Sequence, residues 1–146
     1  MVTERYLKVK KEFIKKGFSF EECEIDETPK FNSSIKGSKE YRGCVGIAIF
    51  DNKEGALFHY SYFPAGIKKD LENYLNNLNK KNLKAKIVLY DGIFANTEKE
   101  ILKDLFDRRN IQSEFLMTKD ECRDIVFYPE KGLMEIFLSN GEQISL

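Results

Sequence analysis

The chain has 146 residues, 42% of them apolar and 33% charged, which suits one compact domain with a real core and leaves little room for a second. Twenty-four lysines and arginines balance 24 aspartates and glutamates, so net charge supplies no pull towards nucleic acid or an anionic membrane. No apolar run approaches the roughly 20 residues that span a bilayer, and the charged opening MVTERYLKVKKEF does not read as a signal peptide.

Val2, Tyr6, Val9 and Phe13 recur at spacings of four and three, which predicts an amphipathic helix ending at Gly17. Phe18 to Ile25 alternates in part and reads as a strand. Asp26 to Tyr41 is polar, with Pro29, Asn32, Ser33, Ser34 and Gly37, and reads mostly as loop. CVGIAIF, Cys44 to Phe50, is a strong strand with Val45, Ile47 and Ile49 on one face and Cys44, Gly46, Ala48 and Phe50 on the other. Asp51 to Gly55 is a turn, and the aromatic run Ala56 to Phe63 is the return strand of an antiparallel hairpin.

Pro64-Ala65-Gly66 leads into a helix whose stripe is Ile67, Leu71, Tyr74, Leu75 and Leu78. Lys84 to Tyr90 is a strand stopped by Asp91-Gly92. Thr97 and Glu100 have the spacing of a capping box and open a helix burying Ile101, Leu102, Leu105 and Phe106. Gln112 to Met117, Arg123 to Tyr128, Leu133 to Leu138 and Glu142 to Leu146 read as short strands, with turns at Pro129 to Gly132 and Asn140-Gly141. Helices and strands mix without regular βα alternation, so the class is α+β. Neither GxGxxG nor GxxxxGK[ST] occurs, and no repeat is visible.

Cys23, Cys44 and Cys122 are odd in number and lack CxxC spacing, which argues against a disulfide scaffold or a zinc site and for a reducing, cytoplasmic compartment. His59 is the only histidine, so a metal would be poorly supplied, and no cofactor is expected. Cys44 stands after Gly43, at the end of a polar loop and the start of a strand, where a side chain can be reached and backbone N–H groups can form an oxyanion hole. His59 lies on the neighbouring strand, and an imidazole next to a thiol raises its thiolate fraction. The two residues face each other only if Ile49 faces Glu54; another register offsets them by residue steps of roughly 3.4 Å. A strand cysteine is more often a small hydrophobe, and a histidine in an aromatic strand is more often a satisfied core or rim group. Acidic neighbours disfavour a thiolate at Cys23 (EECEI) and Cys122 (DECRD), whereas Lys39 and Arg42 precede Cys44.

YRGCVGIAIFD, EGALFHYSYFP and LKAKIVLYDG, in this order, resemble the CheD family of chemoreceptor glutamine deamidases. NTEKEILKDLFDRRNIQSEF is similar to that family's last helix and following strand, and RDIVFYPEKGLMEI to its closing hairpin. The resemblance covers roughly Gly37 to Ile136, about two thirds of the chain. Gly43-Cys44 followed by His59 also resembles the wider superfamily that includes the cytotoxic necrotizing factor toxins. The family carries a threonine six residues before its cysteine; this chain has Ser38 there, within SKEYRGC. Paired glycines of the family are reduced here to Gly55 and Gly92.

The resemblance implies a layered α/β/β/α fold with mixed sheets over residues 1–146, the helix of residues 1–17 being a possible addition. It implies a protein-glutamine deamidase with Cys44 as nucleophile, His59 as base and acid, Ser38 orienting the imidazole, and Gly43 and Cys44 N–H groups holding the oxyanion. The partner would be a protein presenting a glutamine, chemoreceptor-like or from a host, met by a monomer in the cytoplasm or after export as an effector. No nucleic acid and no membrane insertion are expected. A non-catalytic binding module of the same fold and a transglutaminase-type acyltransferase are the competing expectations.

Overall fold

Alternate side chains of a strand face opposite ways, so a strand that is apolar on both faces needs a layer on each side. A computed structural model describes residues 2–61, 65–119 and 122–146 and has such layers. Helix α1 (Val2–Lys15) precedes strands β1 (Phe20–Glu22), β2 (Ile35–Ser38), β3 (Val45–Phe50) and β4 (Gly55–Tyr60). Helix α2 (Ala65–Leu78), strand β5 (Lys84–Tyr90) and helix α3 (Ala95–Arg108) follow. Strands β6 (Gln112–Thr118), β7 (Cys122–Tyr128), β8 (Leu133–Leu138) and β9 (Gln143–Ser145) complete the described elements. Tyr62, Phe63 and Pro64, expected at the end of the return strand and in the turn after it, lie outside the described residues.

The strands form two mixed sheets. One has the order β1-β2-β7-β8-β9, with β1 and β2 parallel and the other pairs antiparallel. The second has the order β4-β3-β5-β6, with β5 and β6 parallel. Ile47 and Ile49 of β3 pack, together with Phe58 and Ile87, against Leu71 and Leu75 of α2 and Leu102 and Phe106 of α3. The other face of β3, with Ala48 and Phe50, meets Ile125, Phe127 and Ile136 of the first sheet. The outer face of that first sheet carries α1 through Tyr6, Val9 and Phe13. Helix, sheet, sheet and helix pair thus stack in that order, and a side chain such as Phe106, wholly removed from water, is worth about 1.5–3 kcal/mol. No helix among the described residues is long and apolar enough to cross a membrane.

Two expectations are corrected. The polar stretch expected mostly as loop contains β2, a buried strand between β1 and β7. Its sequence IKGS hides the strand because each inward polar group has a partner. The buried Lys36 ammonium bonds Glu21 at 3.1 Å and also donates to Asn32 Oδ1. The second correction concerns α3, which begins at Ala95, before the expected box at Thr97. Its N-cap is Phe94, without a side-chain cap bond. The remaining predicted elements are present with ends shifted by a few residues, as fraying and short turns dictate.

Gly37 shows why β2 tolerates no larger residue. A Cβ there would collide with the Tyr6 hydroxyl and lie 2.5 Å from Phe20 Cζ, so the glycine lets α1 and β1 close over the strand. Gly37→Ala should destabilise the fold by about 1–3 kcal/mol in urea denaturation, because both neighbours are rings held in a packed layer. An unchanged midpoint would contradict this packing.

Candidate active site

The hairpin of β3 and β4 sets where the candidate groups stand. Its register pairs Gly46 with His59, Val45 with Tyr60 and Ile49 with Ala56. Cys44, one residue before β3, therefore points to the same face as His59 but sits two residues along the strand. Direct opposition would need Ile49 across from Glu54, and the turn forbids it. The Asp51 carboxylate accepts the N–H groups of Lys53 and Glu54 at 3.0 and 2.8 Å, which fixes Asp51–Glu54 as the loop and closes the ladder at Phe50 and Gly55. Cys44 and His59 are thus diagonal neighbours, about 7 Å apart along such a ladder.

Ser38 comes to His59 from the opposite sheet. Its Oγ lies 2.8 Å from His59 Nδ1 and donates to the Cys23 carbonyl. A hydroxyl has one proton; given to the carbonyl, it leaves the Ser38 oxygen to accept from Nδ1–H. The imidazole is then held as the Nδ1–H tautomer, with its basic lone pair on Nε2. That nitrogen is buried and has no hydrogen-bond partner among the described residues. Burial pushes His59 down from its ordinary 6.5 to about 4, and the Asp26 carboxylate opposes this only weakly. Asp26 is committed elsewhere: its backbone N–H donates to the His59 carbonyl at 2.6 Å, and its carboxylate takes the Ser61 N–H and hydroxyl at 3.0 Å each.

Tyr41 covers the other side of the imidazole. The two rings stack at 3.7 Å and 13°, and the Tyr41 hydroxyl donates to the Phe58 carbonyl at 3.3 Å. A Cβ on Gly46 would lie 3.2 Å from Tyr41 Cε2 and 2.6 Å from Ile125 Cδ1, so the tyrosine ring rests over a bare stretch of β3. Cys44 is buried, and its Sγ–H donates to the Arg42 carbonyl at 3.3 Å. Gly43, exposed with φ of +63°, makes the left-handed turn that delivers Cys44 to the strand. The structure therefore brings Ser38 to His59 and places Cys44 on the same face, with no hydrogen bond between Cys44 and the imidazole.

The other candidate groups stand apart. Ser34 pairs with the Ser19 hydroxyl at 2.8 Å, and Ser33 is exposed. Burial, reinforced by Glu27, pushes the Cys23 thiol up to about 11. Burial and then Asp124 raise Cys122 well above the ordinary thiol range. Asp120 and Glu121, expected to act on Cys122, lie outside the described residues. No group of three His, Cys, Asp or Glu able to hold a metal occurs among the described residues. Sequence reasoning passed over Tyr41 and the Cys23 carbonyl. The signal for Tyr41 was Gly46, since a glycine inside an apolar strand marks a close approach by another group.

A scan against protein-family models matches none of them, and no curated protein matches the chain.

Ser38→Ala would leave Nδ1–H of His59 and the Cys23 carbonyl without their buried partner, at a cost of about 1–3 kcal/mol. The nitrogen NMR shifts of His59 should then move from a single Nδ1–H tautomer to a mixture; an unchanged pattern would show that Ser38 does not set it. The histidine also ties stability to pH. Because its pKa is lower folded than unfolded, the unfolded chain binds more protons between pH 6.5 and about 4, so stability falls as pH drops through that window. His59→Gln should lose less of its urea midpoint than the parent over that same range.

Proposed function

We propose that the protein is a cysteine-dependent protein-glutamine amidohydrolase of the CheD-like kind, with Cys44 as nucleophile, His59 as base and acid, and Ser38 holding the imidazole. The hydrogen bond from His59 Nδ1 to Ser38 carries the reading. It joins the residue six positions before the cysteine to the only histidine, across two sheets, and leaves Nε2 as the basic nitrogen. The stacking of helix, sheet, sheet and helices, and the placement of Cys44 on the face of His59, also support it.

In this mechanism the Cys44 thiol gives its proton to Nε2, and the thiolate attacks the carboxamide carbon of a glutamine. Backbone N–H groups at Gly43 and Cys44 receive the developing oxyanion. The carbon–nitrogen bond breaks as His59 returns the proton to departing ammonia, leaving a thioester. Water, deprotonated by Nε2, attacks the thioester; the proton returns to sulfur, and glutamate is released. The depressed pKa of His59 keeps Nε2 unprotonated at neutral pH, the form that can accept the thiol proton. The substrate is a protein with an accessible glutamine, chemoreceptor-like or from a host, and the thiol chemistry suits the reducing cytoplasm or delivery from it. The bond from Cys44 to the Arg42 carbonyl favours a second reading, a binding module that keeps the fold without the chemistry.

Incubation with glutamine-bearing partner proteins separates these readings. The enzyme should add about 1 Da per converted glutamine. Cys44→Ser should abolish the gain and His59→Ala should slow it by about 10²–10⁴-fold. Conversion that survives in Cys44→Ser would end the proposal, and incorporation of an added primary amine would mark acyl transfer instead.

A further inference from the structure

We propose that the loop from Lys39 to Gly43 is a lid, closed in this structure, with the Tyr41 ring standing where the substrate's glutamine side chain binds. The inference deepens the amidohydrolase reading and rests on it for its meaning.

The loop runs from one candidate group to another, with Ser38 at its start and Cys44 just past its end. Within it, Tyr41 is the one fully buried side chain; Lys39 is half-buried, and Glu40, Arg42 and Gly43 are exposed. The loop therefore sends a single ring fully inward and presents charged groups outward. That ring lies flat on His59, and the next residue's carbonyl takes the Cys44 thiol hydrogen. One short segment thus engages both groups that the chemistry needs to bring together.

Access demands that this segment move. His59 and Cys44 are only 3% and 7% exposed, and the Tyr41 ring lies flat on the first and shares an apolar cluster with the second. The space under the ring has a suitable location. It lies over Gly46, which pairs with His59 and stands two residues from Cys44 on the same face. Withdrawal of Tyr41 opens a slot between nucleophile and base, over Gly46 and beside the Ile125 side chain. A planar carboxamide can enter where a planar phenol stood.

The loop also has the parts of a hinge and a latch. Glu40 and Gly43 bracket Tyr41 and Arg42 and both have left-handed backbones, with φ of +61° and +63°. Glu40 is the strained one, since a side chain disfavours that region, so release of the loop relieves a cost. Glu40 N–H donates to Asp124 Oδ1 on β7 at 3.1 Å, which pins the loop to the neighbouring sheet. Opening requires this bond, the Tyr41 hydroxyl bond to Phe58 and the ring stack to be given up together. A partner that grips the exposed Glu40 and Arg42 can draw the lid outward.

Alkylation of the full chain by iodoacetamide, read cysteine by cysteine by peptide mass spectrometry, tests the lid without any substrate. Tyr41→Ala should raise the labelling rate of Cys44 at least about tenfold, and by more than that of Cys23 or Cys122. An unchanged Cys44 rate, or a rise shared by all three cysteines, would overturn the proposal. If Tyr41→Ala does not fold, hydrogen exchange in the parent decides. The amides of Glu40 to Gly43 should exchange at least about tenfold faster than those of Ile47 and Phe58, and equal protection would make the loop a fixed part of the core. Labelling that responds as expected in a protein that converts no glutamine would leave the lid standing and sink the amidohydrolase reading.

Discussion

The arrangement of the molecule hangs on a polar contact inside an apolar seam. Two sheets meet through Ala48, Phe50, Ile125, Phe127 and Ile136, a layer where an unpartnered imidazole would cost several kcal/mol. His59 lies in this seam because Ser38 reaches it from the facing sheet, and Ser38 can accept from the imidazole because its own hydroxyl donates to the Cys23 carbonyl. The chain of carbonyl, hydroxyl and imidazole therefore links the β1–β2 edge of one sheet to the β4 edge of the other. It fixes the tautomer, holds the ring plane and leaves one nitrogen unengaged. Tyr41 and Gly46 then follow from packing, since a flat ring lies on the imidazole where the neighbouring strand has no side chain.

Electrostatics work in the same direction. Burial weakens His59 as a base and raises the thiols of Cys23 and Cys122, so all three favour their neutral forms. A thiolate and an imidazolium formed there would have to stabilise each other, which they can do only when close. The ladder sets them two residues apart, and the segment between Ser38 and Cys44 fills the gap.

Much of this was legible in the sequence, and the exceptions have physical causes. The β3–β4 hairpin, the stripe of α2 and the whole of β5 follow from periodicity, because apolar side chains decide those elements. Strand β2 was hidden, because IKGS is stabilised by specific partners: Lys36 by Glu21 and Asn32, Ser38 by His59 and Cys23. No periodic pattern encodes such pairs. The start of α3 was misplaced because Thr97 and Glu100 have the spacing of a capping box, whereas the chain begins its helix at Ala95 behind an exposed phenylalanine. The hairpin register was left open by the residues themselves and was decided by one carboxylate, Asp51, capping the turn. The offset of Cys44 from His59 follows from that register, whereas the contact of Ser38 with His59 follows from the meeting of the two sheets.

The pairing of β2 with β7 joins Ser38 to Ile125, residues far apart along the chain. Contacts of such separation close late, because a long loop must be ordered before they return any energy. Ser38 belongs to that slowly assembled sheet, whereas Cys44 and His59 belong to a local hairpin that can form early. A half-folded chain can therefore hold the thiol and the imidazole on one face of the hairpin while lacking the hydroxyl that orients the imidazole. Completion of the second sheet is thus the step that gives the imidazole its partner and fixes its tautomer.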